Sequence, residues 1–208
     1  MTARATGTAA EPVGSGGATA RPRACQRHPG VVPDVQLEDR VGNWVEDRVD
    51  VGFRLGLSPH EGLIARRLLP VQLIVCASPA YLAQHGTPQH PAELAQHAVI
   101  SYVYWSTKDE WRFTGPDGPV SVKTQPIMNT NSGDTCRAAA LAHQGIVLQP
   151  SFLVGRDVAE GTLVELMPQY KSLELGIYAV YPTRKHVSAK VRVLIEFLQK
   201  HFSAQRDW

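Results

Sequence analysis

Cysteine is scarce in this chain. Cys25, Cys76 and Cys136 are the three in 208 residues, and they lie far apart. No pair has the spacing of a zinc knuckle or a Cys-x-x-Cys redox motif, so free thiols in a reducing cytoplasm are expected. Long apolar runs are missing as well. No segment reaches the roughly 18 consecutive apolar residues of a membrane helix, and no membrane partner is expected. The first residues, Met1 to Thr8, have no apolar h-region and do not read as a secretory signal. Charge of one sign is also lacking: 21 Lys and Arg face 19 Asp and Glu, a net charge of +2. The basic residues are scattered, so direct DNA binding by this chain alone is not expected.

The motifs of catalysis are absent in turn. Gly14-Ser15-Gly16-Gly17 has no strand before it and no Lys-Ser/Thr after it, which argues against a phosphate loop. Ser132 and Ser151 each open a helix, but neither sits in the Gly-x-Ser-x-Gly of a nucleophile elbow. The eight histidines, His28, His60, His85, His90, His97, His143, His186 and His201, show no metal-ligand pairing at helical spacing. We expect no enzyme activity, no cofactor and no metal.

What remains is the composition of an ordinary globular protein, 43% apolar and 19% charged, long enough for a sizeable core. Residues 1–27 stand apart. Val13 is the only aliphatic side chain there larger than alanine, apart from the initiator Met, so this stretch reads as disordered. From residue 31 strand and helix patterns alternate. Strands are predicted at 31–38, 49–53, 63–77, 99–103, 111–114, 120–123, 126–129, 146–148 and 173–181. Gly115-Pro116-Asp117-Gly118 is a hairpin turn. Helices are predicted around 41–48, after Ser78-Pro79, at 91–96, from Asn131 or Ser132 to about 143 with Gly145 ending it, and from Ser151 to about 160. A final helix carries Val187, Val191, Leu194, Ile195, Leu198 and Phe202 on one face. The alternation implies an α/β fold with largely parallel sheet.

Several strand-to-helix junctions end in small polar residues: Arg54-Leu55-Gly56, Ser78-Pro79, Asn129 to Ser132, and Gln149-Pro150-Ser151. In open α/β sheets ligands bind beyond the carboxyl ends of strands, where helix N-termini favour anions. Arg54 is suited to clamp the same anion. Ser78, Asn131 and Ser151 are equally readable as plain helix caps, and Arg54 as an exposed or paired cation. Tyr102, Tyr104, Trp105 and Trp111 are either pocket lining or core.

One ordered set of motifs spans most of the chain. It runs from His28-Pro29-Gly30 through Val49 to Gly56, Cys76-Ala77-Ser78-Pro79-Ala80-Tyr81-Leu82 and Asn131-Ser132-Gly133-Asp134. It continues through Gln149-Pro150-Ser151-Phe152 to Tyr181-Pro182, with Trp111-Arg112-Phe113 and Val187 to Arg192 within its span or just beyond it. This set resembles the effector-binding domain of LysR-type transcriptional regulators. His143-Gln144-Gly145 stands where many members have Gly-x-Gly, and reads as a tolerated loop variation.

The resemblance implies two α/β subdomains joined by two crossover strands, as in type 2 periplasmic binding proteins. Subdomain I would be 28–77 plus 178–203, subdomain II 78–177, with 1–27 a disordered segment and 204–208 a tail. The crossovers would be 71–77 and 173–181. It implies a small-molecule effector, a carboxylate or aromatic metabolite, held between the subdomains. Arg54, Ser78, Tyr102, Asn131 and Gln149 match that cleft, and Ser132 joins them from its own junction. It implies a cytoplasmic, dimerising regulator. Two departures stand out: the helix-turn-helix head has no counterpart in 1–27, and neither has the apolar first strand of subdomain I. A missing central strand would leave unpaired buried backbone groups at about 1–3 kcal/mol each. The expectation is therefore a truncated sensor, acting as a homo-oligomer or a mixed oligomer with an intact regulator. The alternative is a solute-binding protein of a transporter, which needs export.

Overall fold

The computed structural model describes residues 2–7, 32–37, 50–56, 63–105, 109–182 and 189–203. The His28-Pro29-Gly30 motif, the helix expected at 41–48 and the tail 204–208 lie outside the described residues. The chain forms two compact units, Met1–Val71 with Leu175–Trp208 and Gln72–Glu174. The divisions fall ahead of the 77/78 and 177/178 boundaries expected from the sequence.

In the first unit, β1 (Thr2–Gly7), β2 (Val32–Leu37), β3 (Val51–Gly56), β4 (Leu63–Val71) and β13 (Leu175–Pro182) form one sheet in the order β2-β1-β3-β13-β4. β1 runs parallel to both its neighbours. For Thr2–Gly7 this differs from the expectation that nothing in residues 1–27 can act as a central strand. Ladder hydrogen bonds come from the backbone, so a strand paired on both sides is possible without large apolar side chains. Thr2, Arg4 and Thr6 alternate with Ala3, Ala5 and Gly7 at the period of a strand. Residues 8–27 lie outside the described set.

β13 is antiparallel to β3 and β4, with a bulge at Ile177/Tyr178 that leaves Leu68 of β4 as the extra residue. Helix α4 (Ala189–Ser203) buries Val191 and Ile195 against Val51 and Ala179, with Phe53, Leu68, Tyr181 and Leu194 at the margin. This is the apolar helix face read from the 3- and 4-residue spacings.

The second unit is built on the sheet β11-β5-β10-β6-β9. Its strands are β5 (Leu73–Ala77), β6 (Val99–Tyr102), β9 (Pro126–Thr130), β10 (Ile146–Pro150) and β11 (Val164–Glu165). β10, β6 and β9 are mutually parallel; β5 runs against them, and β11, antiparallel to β5, shares their direction. Both sheets are thus mixed rather than largely parallel.

Alternate residues of each strand serve opposite faces. Val75, Ala77, Val99, Ile146 and Leu148 pack under Tyr81 and Leu82 of α1 (Pro79–His85) and Leu94 of the 3-10 helix η1 (Pro91–Gln96). Over the same face lie Trp111 and Phe113 of β7 (Glu110–Gly115) and Val122 of β8 (Gly118–Lys123). Cys76, Ile100 and Val147 pack on the other face. They lie under Cys136 and Ala140 of α2 (Gly133–Leu141) and Val154 of α3 (Ser151–Ala159). All five residues of β10 are buried, as a strand covered on both faces requires.

The expected hairpin turn closes the small sheet β12-β7-β8, where β12 is Lys171–Ser172 and Gly115 pairs with Gly118. On the edge strand β9, the register shift leaves Ile127 as a bulged residue, 61% exposed. The bulge and Pro126 discourage edge-to-edge pairing.

Helix α2 ends differently from expectation. His143, not Gly145, takes the left-handed position (φ 62°). Gln144 N–H reaches Ala139 C=O and His143 N–H reaches Ala140 C=O, the paired bonds of a Schellman stop. Gly145 has another duty. A Cβ there would stand 2.5 Å from Ala98 O, the oxygen that accepts from Ile146 N–H to start the β10–β6 ladder. Gly145→Ala is expected to lower unfolding free energy by about 1–3 kcal/mol in urea titration, the usual cost of overpacking.

Candidate functional site

Three parallel strands of the second unit end together. Tyr102 pairs with Thr130 across β6 and β9, and the β10–β6 register carried past Val147↔Ile100 brings Gln149 beside Tyr102. Parallel neighbours in register share a face, so Thr130, Tyr102 and Gln149 form one row at the carboxyl edge, on the side covered by α2 and α3.

Each position has a local cause. Ser132 is the N-cap of α2: its backbone is extended and its Oγ accepts from Thr135 N–H at 3.2 Å. Thr130 Oγ1 accepts from Ser132 N–H at 3.1 Å, fixing the turn through exposed Asn131. Val103 N–H donates to Thr130 C=O at 3.0 Å, tying the β6 tip to β9. Tyr102 is edge-on to Tyr104 (ring centroids 5.8 Å) and tilted against Trp105 (5.0 Å). Gln149 is 1% exposed, yet among the described residues its Nε2 has no acceptor; the same holds for the buried Nε1 atoms of Trp105 and of Trp111 in the core. An orphaned buried donor costs about 1–3 kcal/mol.

The other sequence-derived residues are placed elsewhere. β5 runs against β10, with Cys76 opposite Val147, so Ser78 emerges at the amino edge of β10. Ser78 is fully buried, caps α1 through Tyr81 N–H, and meets His143 Nδ1 at 2.8 Å. It therefore does not join Tyr102, Asn131, Ser132 and Gln149, because strand direction, not motif order, decides the edge. Arg54 lies on β3 of the first unit, opposite Tyr178 of β13; partial burial lowers the pKa of its guanidinium. Ser151 is the first residue of α3 rather than its cap, since Pro150 holds that position, and its N–H donates to Gln72 C=O. Trp111 belongs to the core, 1% exposed and apart from the other three aromatics. Thr130 escaped the sequence reading, although the Thr-x-Ser spacing of a side-chain turn is visible there.

A charge pair braces the site. Arg137 of α2 donates through Nε and Nη2 to the two carboxylate oxygens of Asp157 on α3, at 2.5 and 2.6 Å. The Asp157 side chain is 6% exposed and that of Arg137 36%. The carboxylate bonds raise the pKa of the guanidinium further, above its already high value. Arg137→Met strands the carboxylate. We expect a loss of roughly 2 kcal/mol by urea denaturation, less than the roughly 3–5 of a wholly buried pair because Arg137 is partly solvated.

Cys76 and Cys136 are fully buried, and burial pushes both thiols up to about 12. Few thiolates exist at neutral pH. Native-state alkylation at pH 7.5, read by peptide mass spectrometry, is expected to leave both unmodified until the protein unfolds. Among the described residues no group of three or more His, Cys, Asp and Glu is placed to hold a metal ion. Nor is any helix there long and apolar enough to cross a membrane.

Two α/β units, each a mixed sheet with helices, make a regulatory domain of the type 2 periplasmic-binding-protein class. The LysR substrate binding domain family matches residues 19–203, and the chain belongs to that family. The transcriptional regulator DmlR of Escherichia coli K12 is 33% identical over 171 residues, covering 80% of this chain and 54% of that protein. CrgA of Neisseria meningitidis serogroup B is 34% identical over 174 residues, covering 83% and 58%. The solved CrgA regulatory domain superposes with a TM-score of 0.84 at 30% identity, covering 96% of this chain and 98% of that one. The chain thus spans a little over half the length of the curated relatives it matches.

Proposed function

We propose that this chain is the effector-sensing and oligomerising part of a LysR-type regulator, acting in the cytoplasm and without enzymatic activity. The effector meets the second unit at the carboxyl ends of β6, β9 and β10, through Tyr102, Asn131, Ser132 and Gln149. The observation that carries this reading is the buried Gln149 amide, a donor without an acceptor among the described residues, in the row with Tyr102 and Thr130 that leads to the N-cap of α2. A ligand oxygen would satisfy it. The positive end of α2 favours a carboxylate there, and the faces of Tyr102, Tyr104 and Trp105 suit a flat apolar body. Arg54 is a second candidate anion contact, in the first unit. Effector binding shifts the balance between oligomeric forms by its different affinity for each. The 208 residues alone do not hold operator DNA tightly; a mixed oligomer with an intact regulator is the route to a promoter.

A thermal-shift screen of small carboxylates and aromatic acids tests this. A hit at 100 times its Kd adds about 2.7 kcal/mol. Gln149→Leu removes a donor that has no partner, so the ligand-free melt is expected to hold or rise while the shift shrinks sharply. An undiminished shift in Gln149→Leu sinks the assignment. Size-exclusion chromatography with and without the hit reads the oligomer, and a gel shift with operator-length DNA is expected to show no tight complex.

A further inference from the structure

Four of the histidines converge on one corner of the second unit, around α1 and η1. η1 is held at both ends by imidazole nitrogens. At its start, His90 Nδ1 lies 3.1 Å from Ala92 N–H, while Glu93 returns a bond to His90 N–H at 3.0 Å. An amide N–H can only donate, so His90 Nδ1 is an unprotonated acceptor. At its end, His97 Nδ1 lies 3.1 Å from the Tyr81 hydroxyl, whose oxygen accepts from Ala98 N–H at 3.0 Å. Tyr81 is 2% exposed. With its oxygen already accepting from Ala98 N–H, the hydroxyl can give its proton to His97 Nδ1 in the tautomer that leaves this nitrogen bare.

The remaining contacts secure α1. His85 Nδ1 meets Tyr81 C=O at 3.0 Å; a carbonyl only accepts, so this nitrogen carries a proton. The His85 ring stacks on that of Tyr81, with centroids 4.4 Å apart. His143 holds the α1 cap through Ser78. Ala98 is the hub: its N–H goes to Tyr81 and its C=O starts the β10–β6 ladder.

We propose that His97 forms an acid-sensitive clasp with Tyr81, which holds the end of η1 and α1 to the root of β6 while the His97 ring is neutral and its Nδ1 accepts. An imidazolium has a proton on each nitrogen, so protonating His97 leaves the buried Tyr81 hydroxyl proton without that acceptor. The groups around the η1 histidines are few. His85 of α1 and Glu93 of η1 act on His97, in opposite directions. The Tyr170 ring stands edge-on to His90 at 5.3 Å, and β8, packed along η1, ends at exposed Lys123. Burial first, and His85 second, lower the pKa of His97 below its ordinary 6.5. The unfolded chain therefore takes up this proton first. Stability from His97 is complete above pH 6.5 and is lost as pH falls from there through the lowered value.

The test uses the intact 208-residue chain, labelled with nitrogen-15, with histidine rings followed by long-range correlation from pH 8 to 5. Expected are the Nε2–H tautomer for His97, His97 titrating below 6.5, and a rise in that value in Tyr81→Phe. Denaturation midpoints should fall with acid in the wild type and less steeply in His97→Gln, whose amide oxygen still accepts from Tyr81. A proton on Nδ1 of neutral His97, His97 titrating at or above 6.5, or an unchanged slope in His97→Gln would overturn the clasp. If a variant does not fold, the wild-type spectra alone decide.

Discussion

The second unit is governed by one constraint: its sheet is buried on both faces. Every residue of β10 is inside, and each neighbouring strand divides its side chains between two separate cores. A strand covered this way has no face left for a ligand. Polar chemistry can then live only where strands stop, and this unit has chemistry at both edges. The carboxyl edge collects Gln149, Tyr102, Thr130 and Ser132; the amino edge collects Ser78, Tyr81, His97 and Ala98.

The buried polar groups separate by how they are satisfied. Asp157 is almost without water, but both its oxygens have a guanidinium partner, so the brace between α2 and α3 is self-contained. Gln149 Nε2 has none. Trp111 Nε1 in the core shares that state among the described residues, so what sets Gln149 apart is its place in the row with Tyr102 and Thr130 at the carboxyl edge, where the proposed ligand would supply the partner.

Much of this was legible in the sequence, for identifiable reasons. The short apolar runs of β5, β6 and β10, the 3- and 4-residue spacing in α4 and the glycine-bounded turn at 115–118 are local patterns, and local patterns survive folding. Ser132 was readable as a cap because capping needs only the three residues that follow. The failures have a different source. Thr2–Gly7 lacks the apolar content that marks a central strand, yet backbone pairing on both sides gives it that place. His143 stands in a left-handed position where glycine is usual, and its ring contact with Ser78 is visible only in three dimensions. The histidines looked dispersed because their convergence on α1 depends on the turns at 86–90 and 142–145.

Ser78 shows why a resemblance of motifs does not by itself locate a site. Its segment, Cys76 to Leu82, matches the family well, and a serine opening a helix after a strand is a plausible ligand contact. But β5 is antiparallel to β10, β6 and β9 in the sheet order, so its end coincides with their beginnings. The rule that ligands gather at carboxyl ends applies to strands that run the same way. Once direction is counted, Ser78 becomes part of the fastening of α1, and His143 becomes its partner. Strand β6 then has that fastening at its root, Ala98, and Tyr102 of the proposed recognition row at its tip. Under the proposed clasp, a change in how α1 and η1 are held would reach the same short strand that carries Tyr102.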